Sequence, residues 1–158
     1  MKTHMDDGSV PKPKASAIAP RVYRSEFVVR FGDCDPAGIV FYPRYLEIFN
    51  NMVEDWCRDE LQFSFAEIIN ARGWGLPTVH LDVDFLSPSS FGDLITAELS
   101  VRSLGRSSVS ISIALRGHDG RERVRGEVVL VLTERGRNRS IAIPDELRER
   151  ILAFKVAE

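Results

Sequence analysis

The sequence predicts an α+β domain in which an antiparallel sheet covers one long apolar helix. Two patterns favour this class. Large apolar side chains recur at helical spacing from Tyr42 to Trp56, as expected of a helix that is enclosed on much of its surface. Beyond residue 78, four segments alternate apolar with polar residues and are separated by turn residues, which is typical of antiparallel strands.

The first part of the chain is interpreted as a strand, a turn and the long helix. Residues 22–31 are rich in Val, Phe and Tyr with polar residues interleaved, which predicts a half-buried strand. A turn that contains Pro and Gly follows. Pro43 suits the first turn of a helix, and the helical pattern ends near residues 58–60.

The second part predicts a short helix and further strands. Ser64 and Glu67 have the spacing of a capping box, and Gly73 lies where a glycine commonly ends a helix. Pro144 opens a terminal helix. The alternating segments are residues 79–85, 95–101, 109–115 and 124–133, and residues 141–143 are expected to extend the sheet.

Length and charge exclude several classes of protein. A chain of 158 residues supports one domain, placed at residues 21–158, and residues 1–20 are interpreted as a mobile tail because they lack hydrophobic periodicity. The formal net charge of −2 argues against a nucleic-acid binder. No apolar run is long enough to span a bilayer, and the missing signal peptide predicts a cytoplasmic protein.

The most informative segment is the turn Asp33-Cys34-Asp35-Pro36-Ala37-Gly38. It sets two carboxylates directly before the long helix. Unpaired backbone N–H groups and the positive end of the helix dipole lie at a helix N-terminus. A carboxylate beside such groups suits attack on a carbonyl, whose oxygen becomes negative in the transition state.

The residues of this turn also fit roles without carbonyl chemistry. Aspartates in Gly/Pro turns commonly bond nearby backbone N–H groups, and this is our interpretation of Asp33. An Asp-x-Asp metal site would need further ligands that are not close in sequence, so no metal is expected. Cys34 is poorly suited as a nucleophile because the neighbouring carboxylates disfavour a thiolate.

The segment 33–40, with Tyr42-Pro43 and Tyr45-Leu46 after it, resembles the hotdog-fold acyl-CoA thioesterases of the 4-hydroxybenzoyl-CoA thioesterase family. The resemblance covers roughly residues 22–144 and implies an antiparallel sheet of about five strands wrapped around one long central helix. A weaker match follows at Gly75, Pro77, Val79, Phe85, Pro88, Phe91, Asp93 and Leu94.

The resemblance also implies a catalytic site. Asp35 would act as a nucleophile or as a general base for water. Backbone N–H groups at the start of the long helix would polarise the thioester oxygen, with Tyr42 at the matched position, and Gly38 would let the chain turn closely. The products would be a free acid and coenzyme A, and no metal or organic cofactor is implied.

Substrate-binding residues follow from the same resemblance. Asn50 stands where hydroxybenzoyl-specific members carry an acid, so an aromatic or short-chain acyl group is expected rather than 4-hydroxybenzoyl itself. Arg106 and Ser107 fall at the family's CoA-side turn and are expected to contact coenzyme A. Nine arginines lie in residues 100–139, and a solvated strand face is the default interpretation of them.

Members of this family generally pair subunits into one continuous sheet with active sites at the interface, which implies a homodimer or homotetramer. Two further functions of the fold stay open. One is a non-catalytic acyl-CoA or acyl-carrier-protein binding module. The second is a hydratase or dehydratase, which would want a His beside an acid in the cleft, and neither His80 nor His118 lies in such a motif.

Overall fold

The computed structural model describes residues 18–157 of the chain. Its α-helices are α1 (Tyr42–Asp59) and α2 (Asp145–Leu152). Its strands are β1 (Tyr23–Val28), β2 (Trp74–Gly75), β3 (Thr78–Phe85), β4 (Leu94–Leu104), β5 (Ser108–Gly117), β6 (Glu122–Val131), β7 (Thr133–Glu134) and β8 (Arg139–Ser140). The long helix begins and ends where the sequence predicts it.

Five strands form one antiparallel sheet in the order β1-β4-β5-β6-β3. The long strands β4, β5 and β6 form its centre, where Leu99 lies opposite Ile113 and Ile113 lies opposite Gly126. The α+β class and the five-stranded antiparallel sheet of the hotdog prediction are confirmed. The apolar side chains that these three strands bury completely are Ile95, Ala97, Leu99, Val101, Ile111, Ile113, Leu115 and Val124.

Helix α1 covers 18 residues and contributes one face to this core. At its middle, the ring of Phe49 lies on the backbone of β6 at Gly126. A Cβ atom on Gly126 would stand only 2.1 Å from Phe49 Cε2, so the absence of a side chain there makes room for the ring. The buried residues of the helix are Tyr45, Phe49, Met52, Val53, Trp56 and Cys57.

A small second sheet, in the order β2-β7-β8, is not predicted by the sequence patterns. Each of its strands has 2 residues, which is too short for a recognisable alternation. The prediction that residues 141–143 extend the sheet is wrong. That segment is held by other bonds, since the Ile141 N–H donates to the Leu132 carbonyl and the Ile143 N–H to the Arg106 carbonyl.

The predicted short helix is a single π-helical turn over Glu67–Ala71. The Glu67 N–H donates to Ser64 Oγ at 3.1 Å, which is one half of the predicted capping box. Gly73 follows with φ +66°, the left-handed conformation typical of a glycine after a helix end.

Strands β1 and β3 form the two edges of the large sheet. The edge strand β3 carries apolar side chains that are open to solvent in the single chain, with Val79 at 58% and Phe85 at 52% exposure. Unpaired N–H and C=O groups on such an edge favour pairing with another chain.

None of the helices within residues 18–157 has the length and apolar character that a bilayer crossing requires. The tail predicted for residues 1–20 lies mostly outside the described residues, so it stays a prediction.

Candidate active site

The turn between β1 and α1 is closed by backbone hydrogen bonds. The Asp35 N–H donates to the Ile39 carbonyl at 3.0 Å, and the Gly38 N–H donates to the Asp35 carbonyl at 2.9 Å. Gly38 has φ +82°, a left-handed conformation that is unfavourable by about 1–2 kcal/mol for a residue with a Cβ atom. Gly38 therefore lets the chain reverse within the turn, as the sequence predicts.

The two aspartates of the turn bond backbone amides in different ways. Asp33 Oδ2 accepts from the Arg30 N–H at 2.8 Å, which supports its interpretation as a turn former. Asp35 Oδ1 accepts from the Ala37 N–H, also at 2.8 Å. Within residues 18–157 no cationic side chain pairs with Asp35, so its second oxygen is available to a water molecule or a substrate.

The start of α1, which follows this turn, leaves one backbone donor without an acceptor in the described part of the chain. The Phe41 N–H donates to the Asp33 carbonyl at 2.9 Å, the Arg44 N–H donates to the Phe41 carbonyl, and Pro43 has no N–H. Tyr42 is the first residue of the helix, and a first-turn amide has no acceptor within its own helix. The Tyr42 N–H is therefore the amide that this end of the helix offers to a ligand.

A cleft of about 310 Å³ opens beside the turn, between the start of α1 and the end of β3. Its walls are mostly apolar and aromatic. The Phe85 ring lies 6.1 Å from the Tyr42 ring and 6.0 Å from the Tyr45 ring, between centroids. Such a cleft suits an apolar or aromatic acyl group. The lining residues are Ile39, Val40, Tyr42, Tyr45, Phe85, Leu86, Ser87 and Pro88.

Asn50 lies two helical turns further along α1 and lines a separate, smaller cavity of about 70 Å³. Leu46 of α1 and Leu81 of β3 line the same cavity. Both cavities follow the groove between α1 and β3. In a single chain, Asn50 therefore lies along the same groove as Tyr42 but does not line the same cleft.

Arg106 and Ser107 lie at the opposite end of α1. Ser107 lines a small apolar cavity together with Trp56 and Cys57, near the C-terminal end of the helix. Trp56 is about 21 Å along the helix axis from Tyr42. The structure of one chain therefore does not bring Arg106 and Ser107 to Asp35, and these predicted substrate-binding residues are separated from the predicted catalytic turn.

Comparison with known proteins identifies the family. The family model described as "Thioesterase-like superfamily" matches residues 29–151, a range that includes the turn, α1 and every strand from β2 to β8. The chain belongs to this superfamily. The predicted family and the predicted class of enzyme, a thioester hydrolase, are confirmed by this match and by the names of the relatives.

Two curated relatives resemble this thioesterase over nearly their whole length. The 1,4-dihydroxy-2-naphthoyl-CoA hydrolase of Synechococcus elongatus is 29% identical over 128 residues, which cover 80% of this chain and 93% of the relative. The 4-hydroxybenzoyl-CoA thioesterase of a Pseudomonas species is 27% identical over 128 residues, which cover 77% of this chain and 91% of the relative.

Solved structures share the fold. A gentisyl-coenzyme A thioesterase is 30% identical with a TM-score of 0.70, and the match covers 83% of this chain and 98% of that one. A Staphylococcus aureus protein in complex with CoA has a TM-score of 0.81 at 18% identity, covering 91% of this chain and 92% of that one. At 18% identity, the similarity to the Staphylococcus aureus protein shows a shared fold and nothing further.

The thioesterase has two cysteines, and both are free thiols. Cys57 on α1 is 2% exposed, and its burial raises the pKa of the thiol to about 12. Cys34 is half-buried in the turn before α1, with its sulfur 3.7 Å from the Arg30 carbonyl oxygen. The two thiols therefore differ sharply in their access to solvent.

Arg123 is a residue of this region that the sequence patterns miss. Arg123 belongs to the arginine-rich residues 100–139, for which the sequence predicts a solvated strand face, yet this residue is only 8% exposed. The pairing of β5 with β6 slips here, because Leu115 pairs with Val124 whereas Arg116 pairs with Glu122. Arg123 is the extra residue of this β-bulge. The alternation of apolar and polar residues along β6 does not indicate where its register with β5 shifts.

Tyr45 lies between the cleft and the buried Ser89. Burial raises the pKa of the Tyr45 hydroxyl, whereas the nearby polar groups of Ser89 and the charge of Arg123 oppose that shift. Because the net direction is upward, the hydroxyl is neutral at physiological pH. The cleft wall thus combines a neutral phenol with a buried guanidinium behind it.

Proposed function

We propose that this thioesterase hydrolyses an aromatic or short-chain acyl-CoA thioester to the free acid and coenzyme A. The observation that supports the proposal is that the turn of Asp35 leads directly into the N-terminus of α1, whose first residue, Tyr42, lines the aromatic cleft with Phe85. The second oxygen of Asp35 and the first-turn amide of Tyr42 are the groups that this end of the helix offers to a thioester. A carbonyl placed there would meet both an attacking group and a donor for its oxygen.

In this mechanism the Tyr42 N–H binds the thioester oxygen as it becomes negative. Asp35 either takes a proton from a water molecule that attacks the carbonyl carbon, or attacks that carbon itself and forms an anhydride that water then cleaves. In both routes the C–S bond breaks and coenzyme A leaves as a thiolate, which is a good leaving group. A separate general acid is therefore less necessary than in amide hydrolysis.

The relatives support an aromatic acyl group. The names of the two curated relatives and of the gentisyl-coenzyme A thioesterase specify hydroxylated aromatic acyl groups. In this chain, the rings of Tyr42, Tyr45 and Phe85 offer the edges and faces against which an aromatic acyl group would pack.

The active enzyme, in our proposal, is a homodimer paired through β3, or a homotetramer built from two such dimers. Pairing would cover the exposed Val79 and Phe85 and satisfy the free edge of the strand. Two copies of one edge strand related by a twofold axis run antiparallel. The Phe85 end of β3 in one subunit would then lie beside the Thr78 end in its partner.

This arrangement would unite the separated binding residues. The Phe85 end of β3 adjoins the catalytic turn, through the contact of Phe85 with Tyr42. The Thr78 end adjoins the hairpin of Arg106 and Ser107, because Thr78 pairs with Leu130 and the Leu132 N–H donates to the Ser107 carbonyl. A coenzyme A bound at Asp35 of one subunit would therefore extend towards Arg106 of its partner.

Release of free thiol from a panel of acyl-CoA esters tests the proposed function. We expect turnover of benzoyl-, hydroxybenzoyl- or dihydroxynaphthoyl-type esters or of short-chain esters. Tight binding of acyl-CoA without thiol release would instead identify a non-catalytic binding module. Hydration of an enoyl-CoA without thiol release would identify a hydratase.

Arg106→Ala is expected to raise KM for acyl-CoA by about tenfold with kcat nearly unchanged, because it would remove binding that is equal in the ground and transition states. A truncated thioester without the nucleotide should be hydrolysed equally by both proteins. Steady-state kinetics on the two substrates check this. An equal loss on both would mean that Arg106 supports the fold.

Mixed dimers test whether Arg106 acts across the interface. Dimers of Asp35→Asn with Arg106→Ala would contain one site with both defects and one intact site. Assayed well below KM, where Arg106→Ala alone keeps about one tenth of the activity, random mixing at equal amounts should give roughly one quarter of the wild-type activity, because half of the dimers would be mixed and each would hold one intact site. If both residues served the same subunit's site, the mixture would show only the average of the two variants, roughly one twentieth of the wild-type activity.

Asn50→Asp should sharpen the preference for a para-hydroxylated aromatic ester by about one to two orders of magnitude. A buried carboxylate that accepts the phenol hydrogen bond is left unpaired when the hydroxyl is absent, whereas an amide loses less. The ratio of kcat/KM for 4-hydroxybenzoyl-CoA and benzoyl-CoA measures this. A wild type that already prefers the hydroxylated ester by several thousandfold would show that Asn50 does not read that position.

A further inference from the structure

Arg123 places a buried charge behind the wall of the cleft. Its Nη2 lies 3.1 Å from Asp119 Oδ2, and its Nε is buried without a hydrogen-bond partner. The guanidinium packs against Gly117, where a Cβ atom would stand 2.3 Å from Nη2. A charge that is buried and incompletely bonded is unfavourable for folding, so its position calls for a role beyond packing.

The bulge at Arg123 ties β6 to the segment that follows β3, residues 86–90. The Arg123 carbonyl accepts from the N–H groups of both Leu86 and Ser87, at 2.8 and 3.1 Å. Its Nη1 lies 3.4 Å from Ser87 Oγ, which itself donates to the Glu122 carbonyl at 2.7 Å. Both the backbone and the side chain of Arg123 therefore hold the start of this segment.

The end of the same segment holds the catalytic turn. The Val40 N–H donates to the Ser89 carbonyl at 2.9 Å, and Ile39 pairs with Ser90 in an isolated antiparallel bridge. The Ile39 carbonyl in turn accepts a hydrogen bond from the Asp35 N–H. Residues 86–90 thus lie between Arg123 and the turn and are bonded to both.

We propose that Arg123 is a positioning residue, which fixes segment 86–90 and, through it, both the wall of the acyl cleft and the turn that carries Asp35. The kinetic part of this inference rests on the proposed function. Leu86, Ser87 and Pro88 line the cleft, so loosening the segment disturbs the wall and the turn together. Coenzyme A contacts at the opposite end of α1 are unaffected.

Amide hydrogen exchange at Val40, measured on the full chain without substrate, tests this inference. Arg123→Met keeps the length of the side chain and removes its charge. We expect the Val40 N–H to exchange at least about tenfold faster in this variant. With an acyl-CoA that the wild type hydrolyses, kcat should fall by about tenfold while KM stays within about twofold.

Arg150→Met is the matched control. Arg150, a residue of α2, also binds a backbone carbonyl, since its Nη1 donates to Leu61. That contact lies near the C-terminal end of α1, away from Val40. Arg150→Met should leave the exchange rate of the Val40 N–H unchanged. Unaltered protection of Val40 in Arg123→Met, or equal loss of protection in both variants, would overturn the proposal.

Ser87→Ala keeps the test decisive if Arg123→Met does not fold. It removes the side-chain partner of the guanidinium in segment 86–90 with little change in volume. Val40 must then lose protection in Ser87→Ala, and retention of protection would overturn the proposal. Because exchange is read without substrate, a failure to hydrolyse any acyl-CoA would refute the proposed function and not this role of Arg123.

Discussion

Asp35→Asn is expected to lower thioester hydrolysis by about a hundredfold or more, the range that follows loss of a general base. The amide retains an oxygen to accept the Ala37 N–H, so the turn should keep its shape and only the charge should be lost. We would measure kcat by thiol release with the best ester of the panel. Thermal unfolding of both proteins would verify that the variant is folded.

Asp33→Asn is the matched control for this substitution. Asp33 accepts one backbone N–H in the same turn, and an amide oxygen can preserve that bond too. Activity should therefore stay within a few-fold of the wild type. If Asp35→Asn were as active as the wild type, the assignment of Asp35 would be wrong. Equal losses in the two variants would mean that both carboxylates serve only to shape the turn.

Gly126→Ala is expected to destabilise the fold by about 1–3 kcal/mol, the usual effect of overpacking a core. The added methyl would stand 2.1 Å from Phe49 Cε2, and Phe49 is only 3% exposed, so the ring has little room to move. Either α1 shifts away from β6 or the ring takes an unfavourable rotamer. Denaturant unfolding of the purified protein measures the loss in free energy of unfolding.

Combining Phe49→Leu with Gly126→Ala tests whether a clash between these two residues causes the loss of stability. Leucine lacks the ring atom that the methyl would meet, so the double variant should be more stable than the sum of the single losses predicts. Gly32→Ala is the matched control, since a Cβ atom there has nothing within 4 Å. Additive losses of Gly126→Ala and Phe49→Leu would contradict a clash between these two residues.

Much of the fold follows from local patterns in the sequence. The helical spacing from Tyr45 to Trp56 predicts α1 because the same residues that repeat along it are buried. Alternation predicts β4 to β6 for a similar reason, since the sheet has one face towards the core, whereas β3 keeps the alternation although its apolar side chains are exposed in a single chain. The turn between β1 and α1 could be predicted because Gly38 and the two aspartates have turn chemistry that does not depend on distant residues.

The remaining features depend on contacts between distant parts of the chain. Arg123 is buried because a slip in the register of β5 and β6 turns it inwards and residues 86–90 lie against it. The small sheet joins Trp74 to Glu134, and two paired residues carry no periodicity. Arg106 is expected at the site only through the family resemblance, since in a single chain its hairpin lies at the opposite end of α1 from Asp35.

The unequal environments of the two thiols allow the native chain to be labelled at a single position. At neutral pH, the Cys57 thiol is both shielded and protonated, since its pKa is about 12. A maleimide therefore meets Cys34 first, because alkylation requires an accessible sulfur in its thiolate form. A fluorophore or spin label can in this way be attached one residue from Asp35 without an engineered cysteine, and it would report motion of the turn during turnover.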